Sequence, residues 1–338
     1  MSRLVVVVPA YNESEGLREF HARLITVLDG ADLGVHGVTG SVLYVDDGSH
    51  DDTWAVISAL RAADPRVAAL RLSRNFGKEL ALTAGLDFAD TDTKADAVVV
   101  IDADLQDPPE LITAFVERWR EGNDIVYGRR ASRAGESALK KWTSAAFYRV
   151  MERLSQTPMP RDTGDFRLLS RRALDALRQV RERQRFMKGL FAWVGFRQIA
   201  VVYRRDPRHA GATKWNYWRL WNFALDGITS FSSAPLKVAT YVGMASALIA
   251  FLFGFWVFGK ALIFGDPVRG YPSLMVVVLF LGGMQLMALG ILGEYVGRLY
   301  IESKQRPLYL IDTYQPPRHT SGDVATSSQP RETHSCAS

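Results

Sequence analysis

The chain has 338 residues, of which 48% are hydrophobic, 41 are basic, 36 are acidic and one is cysteine. That cysteine, Cys336, has no partner for an internal disulfide, and the length leaves roughly a hundred residues beyond an α/β domain of about 230. The net charge of +5 is unevenly placed: seven basic and two acidic residues between Arg129 and Arg153, with nine and four between Arg161 and Lys188, amount to twice that charge and call for an anionic partner.

In chain order, Leu4 to Val8 read as a strand that breaks at Pro9-Ala10-Tyr11-Asn12-Glu13, before a helical stretch from about Ser14 to Leu28. Val42 to Val45 read as a second strand running into Asp46-Asp47-Gly48-Ser49, with Asp51 and Asp52 placed to cap the next helix. The run Val98-Val99-Val100-Ile101 reads as a buried strand ending in Asp102-Ala103-Asp104-Leu105-Gln106, and Pro108-Pro109 suits a helix start. Asp102 and Asp104 therefore stand at the carboxyl edge of a strand, where open α/β sheets bind ligands. Two carboxylates and an amide oxygen are hard ligands suited to Mg²⁺ or Mn²⁺ holding a diphosphate. Taken singly, each loop reads equally as turn and cap chemistry, which is the better account of Ser49, Asp51 and Asp52. Three such loops on one side of a sheet predict a site.

Further on, Trp215, Trp218, Trp221, Leu225 and Ile228 recur at helical spacing, predicting a helix that lies at a membrane interface or packs on the preceding domain. Val238 to Gly259 and Tyr271 to Gly293 are uncharged runs of 22 and 23 residues, each long enough to cross a bilayer core of about 30 Å. The alternative is a pair of buried core helices, which fits poorly with runs apolar on every face. A hairpin of two spans puts both soluble ends on one side. With no signal peptide before the first strand, and with Lys237, Arg298, Lys304 and Arg306 flanking the spans, that side is expected to be the cytoplasm, although Lys260 and Arg269 in the connecting loop weaken the asymmetry. The tail is expected to be disordered after about residue 313.

The segments Val8-Pro9-Ala10-Tyr11-Asn12-Glu13, Asp46-Asp47-Gly48-Ser49, Ser73-Arg74-Asn75-Phe76-Gly77-Lys78, Asp102-Ala103-Asp104-Leu105-Gln106 and Asp162-Thr163-Gly164-Asp165-Phe166-Arg167 occur in this order. In these the chain resembles the inverting family-2 glycosyltransferases. Within them it is similar to the polyprenyl-phosphate branch, the dolichyl-phosphate mannose synthases and, more closely, the bacterial bactoprenol glucosyltransferases. The resemblance covers about residues 3 to 305. It implies an α/β GT-A catalytic domain, Rossmann-like and binding a nucleotide sugar, over residues 1–212. A juxtamembrane interfacial helix over 213–234, transmembrane helices at about 236–259 and 271–296 within 235–300, and a tail over 301–338 would follow. It implies transfer of a hexose to undecaprenyl phosphate with inversion, at the cytoplasmic face of a bacterial inner membrane. Glucose from UDP-glucose is the expected donor, with GDP-mannose or another UDP-sugar as the alternative.

By the same resemblance, Asp102, Asp104 and Asp165 are the catalytic carboxylates, and Pro9, Tyr11, Glu13, Asp47 and Lys78 line the nucleotide-sugar pocket. Asp104 and Gln106, with Asp102, hold Mg²⁺ or Mn²⁺, and Arg130 with Lys140 and Lys141 takes the acceptor phosphate. Arg185, Lys188 and Lys214 fall in motif-like surroundings nearby. Asp165 is expected to orient Arg167 or the acceptor loop, because a phosphate nucleophile has little need of a base; a helix-capping aspartate is the alternative. A lipid phosphate and a membrane are the expected partners, nucleic acid is not, and homo-oligomers are left open. A processive polysaccharide synthase, a flippase or a non-catalytic lipid-binding module would share parts of the pattern. The first would carry a Gln-x-x-Arg-Trp motif where this chain has Gln184-Arg185-Phe186-Met187-Lys188, and the second more spans.

Overall fold

The computed structural model describes residues 1–91, 94–131, 163–183, 185–203, 234–264 and 270–318. Eight strands make one mixed sheet: β1 (Ser2–Ala10), β2 (Val38–Asp46), β3 (Val67–Leu72), β4 (Ala97–Val100), β5 (Ile125–Arg130), β6 (Thr163–Ser170), β7 (Gln198–Tyr203) and β8 (Ile311–Gln315), in the order β7-β5-β6-β4-β1-β2-β3-β8. β4, β1, β2 and β3 run parallel, β6 is antiparallel to both its neighbours, and β8 is antiparallel to β3. Strands buried on both faces need continuous apolar sequence, and β1 supplies it. Leu4, Val6 and Val8 face a core shared with α1 (Leu17–Leu28), α3 (Thr53–Ala63) and α5 (Leu111–Arg120). Val5 and Val7 face a second core against α4 (Lys78–Thr91), α6 (Arg171–Gln179) and α7 (Met187–Trp193). A short α2 (Ala31–Val35) joins the first side. Gly85 lets α4 settle on the sheet, since a Cβ there would stand 2.3 Å from Val7 Cγ1.

The predicted strands are all present: β1 and β2 are longer than their apolar runs, and β4 has the expected four residues but begins one earlier, at Ala97, and ends at Val100. Helix α1 starts at Leu17 rather than near Ser14, and the Ser14 N–H donates to Asp51 Oδ2 at 3.3 Å. After the catalytic domain come two long helices, α8 (Ala234–Phe264) and α9 (Tyr271–Ser303). Their windows Ala239–Trp256 and Phe280–Ser303 have mean hydropathies of 1.6 and 1.2 and no residue buried within the protein. Phe251, Phe255, Leu286 and Leu289 stand exposed. An apolar surface of that extent on every side of a helix is incompatible with the core-helix alternative and fits immersion in lipid. The expected interfacial helix and its tryptophans lie outside the described residues.

The end of the second long helix and the tail are both held to the sheet domain. Helix α9 continues past residue 296 to Ser303, so that Glu302 reaches Arg183, accepting from its N–H at 2.6 Å and pairing with its guanidinium at 3.2 Å. The tail then folds back, and Thr313, Tyr314 and Gln315, expected to be disordered, instead form β8 on the open edge of β3. Ile311-Asp312-Thr313-Tyr314 has the alternation and β-branched content of an edge strand, and its pairing covers backbone groups that would otherwise be free to aggregate. The Tyr314 ring packs on Phe88 at 4.6 Å, and Arg61 Nε donates to the Pro316 carbonyl at 2.9 Å. Tyr309 donates to Asp87 at 2.8 Å, beside Arg181 at 2.7 Å and Arg178 at 3.3 Å. Asp87→Asn should therefore loosen tail and domain together, lowering unfolding stability by about 2 kcal/mol, read by denaturant titration of the detergent-solubilised protein; an unchanged midpoint would show that the clasp carries no stability.

Candidate functional site

The carboxyl ends of β1, β2 and β4 meet on one side, as the motif order predicts. Two of the loops there are sewn together by short polar side chains: Asn12 N–H donates to Ser49 Oγ at 3.0 Å, His50 N–H to Asn12 Oδ1 at 3.0 Å, and Glu13 N–H to Thr53 Oγ1 at 2.9 Å. Asp51 takes the Thr53 N–H at 3.0 Å, the cap-like chemistry expected of it. Asn12 at φ +54° turns this loop in the left-handed region, which a short polar side chain tolerates. Tyr11 is 39% exposed and edges onto His50.

Asp47, which the resemblance places in the nucleotide pocket, also braces a neighbouring loop. It is buried, and its two oxygens accept the N–H groups of Phe76 at 2.8 Å and Gly77 at 2.9 Å. It thereby fixes the loop that delivers Lys78. Burial pushes its pKa up, partly offset by those two donors. Gly48 makes the approach of the two loops feasible: at φ +66°, a Cβ there would lie 2.4 Å from the carbonyl carbon of Arg74. The tail contributes too, since Ser73 N–H donates to the Leu310 carbonyl at 2.9 Å.

Lys78 is the first residue of α4, and its Nζ lies 2.7 Å from both oxygens of Asp102 and 2.6 Å from Asp165 Oδ2. The register explains the meeting. Val100 pairs with Arg167 across the β4–β6 ladder, so two residues further on Asp102 comes opposite Asp165. Burial alone would push the Asp165 carboxyl up, but Lys78, Lys188 and Arg167 outweigh it and hold Asp165 well below the usual carboxylate range. Asp102 and Asp165 in turn hold Lys78 above its ordinary value against desolvation. Asp165 Oδ1 is buried with no hydrogen-bond partner, leaving an acceptor free at the centre of the site.

Asp165 does not grip Arg167 through its carboxylate. The Arg167 guanidinium donates to the Gly164 carbonyl at 2.8 Å and stacks on Phe191 at 3.8 Å, and burial lowers its pKa to about 10. Nor does Asp165 cap a helix, since it lies inside β6. Asp104 and Gln106 share a tight turn, with the Gln106 N–H donating to Asp104 at 3.1 Å and Leu105 at φ +58°. That conformation costs a leucine about 1–2 kcal/mol, and its fully buried side chain offsets the strain. No cluster of three carboxylate, histidine or cysteine ligands occurs among the described residues. The donor set of Asp102, Asp104 and Gln106 still has the chemistry of a hard divalent cation's ligands, oxygens that all follow one strand end.

Arg130 ends β5 with its Nε buried and unpaired. A Cβ on Gly164 would meet Arg130 Nη2 at 3.4 Å and Asp107 Oδ2 at 3.7 Å, so these groups crowd one point. Asp107 also accepts the Tyr203 hydroxyl, whose pKa is raised by burial and by Asp107. The sequence reading missed Asp107 and Tyr203, and only the Asp-Pro-Pro context signalled the former. Lys188 opens α7 within electrostatic reach of Asp165, whereas Arg185 turns away to donate to the Val180 carbonyl at 2.6 Å. Lys140, Lys141 and Lys214 lie outside the described residues.

Residues 5–178 match the profile of glycosyl transferase family 2, and residues 234–299 match that of the GtrB C-terminal hairpin. The chain is 50% identical over 308 residues to an uncharacterized glycosyltransferase of Synechocystis sp., spanning 91% of this chain and 94% of that one. It is 47% identical to a bactoprenol glucosyl transferase of Shigella phage SfV, spanning 91% and 98%. An uncharacterized glycosyltransferase of Bacillus subtilis is 43% identical over 90% of this chain and 92% of its own.

Removing the ammonium should expose the repulsion it suppresses. In Lys78→Met, Asp165 loses its counter-charge and its folded pKa rises, so the variant sheds stability as pH climbs, whereas the wild type loses the Asp165 contribution only as pH falls below the usual carboxylate value. The gap between the two proteins should be about 2 kcal/mol at pH 8, discounted for the 43% exposure of Lys78, and close toward pH 4. Thermal unfolding across pH measures it, and a pH-independent gap would contradict the ion triad.

Proposed function

The chain belongs to glycosyl transferase family 2, and on that footing we propose that it transfers glucose from UDP-glucose to a polyprenyl phosphate, with inversion, at the cytoplasmic face of the membrane. The observation that carries this reading is that similarity to a bactoprenol glucosyl transferase runs through both the catalytic domain and the hairpin, rather than through the catalytic domain alone. The site's chemistry agrees. The loops Pro9–Glu13 and 46–53 form the wall for the nucleotide, with Tyr11 exposed for a base or ribose. Asp102, Asp104 and Gln106 would hold Mg²⁺ or Mn²⁺, which when bound neutralises charge on the departing diphosphate. Lys78 stands beside them as a second positive charge.

Arg130, oriented by Tyr203 and Asp107, presents an unpaired buried donor suited to the acceptor phosphate, with Lys140 and Lys141 proposed to assist. A phosphate with its second pKa near 6 is already largely ionised at neutral pH. Asp165, held below the usual carboxylate range, is a poor proton acceptor there. Its role is to orient Lys78 and the incoming groups.

A donor screen tests the proposal. Purified protein in detergent with undecaprenyl phosphate should convert UDP-glucose to a lipid-phosphate hexose detected by mass spectrometry, and GDP-mannose should not substitute; the reverse preference would overturn the glucose assignment. EDTA should abolish transfer, Mg²⁺ or Mn²⁺ should restore it, and Asp104→Asn should lower turnover by more than about 10²-fold; full activity in chelator would remove the metal.

The hairpin also makes a topological prediction. Reporters fused at Asp312 and within 264–270 should report opposite compartments, with Asp312 cytoplasmic; the same compartment at both would mean that one helix does not span.

A further inference from the structure

Glu79, next to Lys78 in the first turn of α4, has no part in the chemistry above. Lys78 reaches toward Asp102 and Asp165, while Glu79 Oε2 accepts the Met187 N–H at 3.1 Å, at the first residue of α7. Thr83 supports the same junction one turn on, with its hydroxyl donating to the Glu79 carbonyl at 2.8 Å and lying 4.0 Å from Met187 Sδ. Two adjacent side chains of one helix thus hold the two walls of the site. One ties the end of β4 to β6; the other ties α7, which carries Lys188, to the first turn of α4.

We propose that Glu79 is a positioning residue whose ionised carboxylate locks the amino end of α7, so that Lys188 joins Lys78 around Asp165 before the acceptor phosphate arrives. The proposal rests on the phosphate-acceptor reading. The charged groups acting on Glu79 are Asp165 and Arg167 from β6, Lys78 from α4, Lys188 from α7, and Arg185 just before it. Burial and then Asp165 push the Glu79 carboxyl up to about 7, against the Met187 donor and the two lysines. An acid whose folded pKa exceeds its unfolded value of 4.5 contributes stability at low pH that is lost as pH rises through about 7. At pH 8 the chain therefore carries an ionised Glu79 at a cost to its stability, as functional sites do when a charge is kept for a task.

Glu79→Gln keeps an oxygen for the Met187 N–H and removes the charge. At pH 8 it should melt at or above the wild-type temperature, yet lose about tenfold in kcat with the donor KM within about twofold. The wild-type rate should fall as pH drops through about 7, and the Glu79→Gln rate should lack that step, keeping only the limb near 6 set by the acceptor phosphate. Wild-type transfer to undecaprenyl phosphate is measured alongside, so failure of the phosphate-acceptor reading is seen separately as absence of lipid product in both proteins. A Glu79→Gln protein that melts below wild type at pH 8 overturns the proposal, as does one whose rate profile superimposes on the wild type.

Discussion

Two carboxylates that face each other across a sheet are the constraint around which this catalytic domain is arranged. The register of β4 and β6 sets Asp102 opposite Asp165, and like charges so placed repel. The Lys78 ammonium between them, at 2.7 and 2.6 Å, turns the repulsion into an ion triad. Everything that brings Lys78 there follows from it. Asp47 spends both oxygens on the backbone of the loop before Lys78, Gly48 admits that loop at close range, and Ser73 is held by the Leu310 carbonyl from the tail. An arrangement charged to this degree without substrates suits a reaction whose donor and acceptor both bring phosphate groups, because the counter-charges stand in place before the ligands and need no rearrangement to meet them.

The frame was legible because its signal is periodic. β-branched runs ending in acidic loops mark the parallel strands, and two long uncharged stretches mark the helices α8 and α9. Asp102 and Asp104 could be named from the continuous apolar run that ends in them, and Asp165 from the resemblance of its motif, the strand that holds it having gone unread. What escaped was pairwise. A lone lysine after a glycine carries no trace of which carboxylates it will bridge, and nothing around Asp47 in sequence tells that it will accept two backbone N–H groups thirty residues on. Asp107 and Tyr203 are separated by 96 residues and join only because β7 packs beside β5. The tail strand was readable in principle, since Ile311-Asp312-Thr313-Tyr314 alternates, but five residues of moderate polarity beside a Ser/Thr/Pro-rich segment are outweighed by composition.

The tail also gives the hairpin a mechanical relation to the chemistry. Helix α9 runs about two and a half turns past the last fully uncharged run before Glu302 meets Arg183, and the chain then passes Asp87 and the Ser73 backbone to reach β3. These contacts touch α4 at Asp87, the segment before α7, and the loop before Lys78, so the tail holds the two helices that carry Lys78 and Lys188 toward Asp165. An acceptor whose phosphate sits at the headgroup level of a bilayer requires the catalytic cleft to stand at a fixed height above that surface. On the proposed reading, a spanning helix whose end is clasped to the catalytic domain by Glu302 and Arg183 would supply that height without a separate domain. The edge strand that follows the spans has two effects at once: its pairing covers the exposed edge of β3, and the Leu310 carbonyl just before it holds Ser73 in the loop that leads to Lys78, the lysine on which the two carboxylates depend.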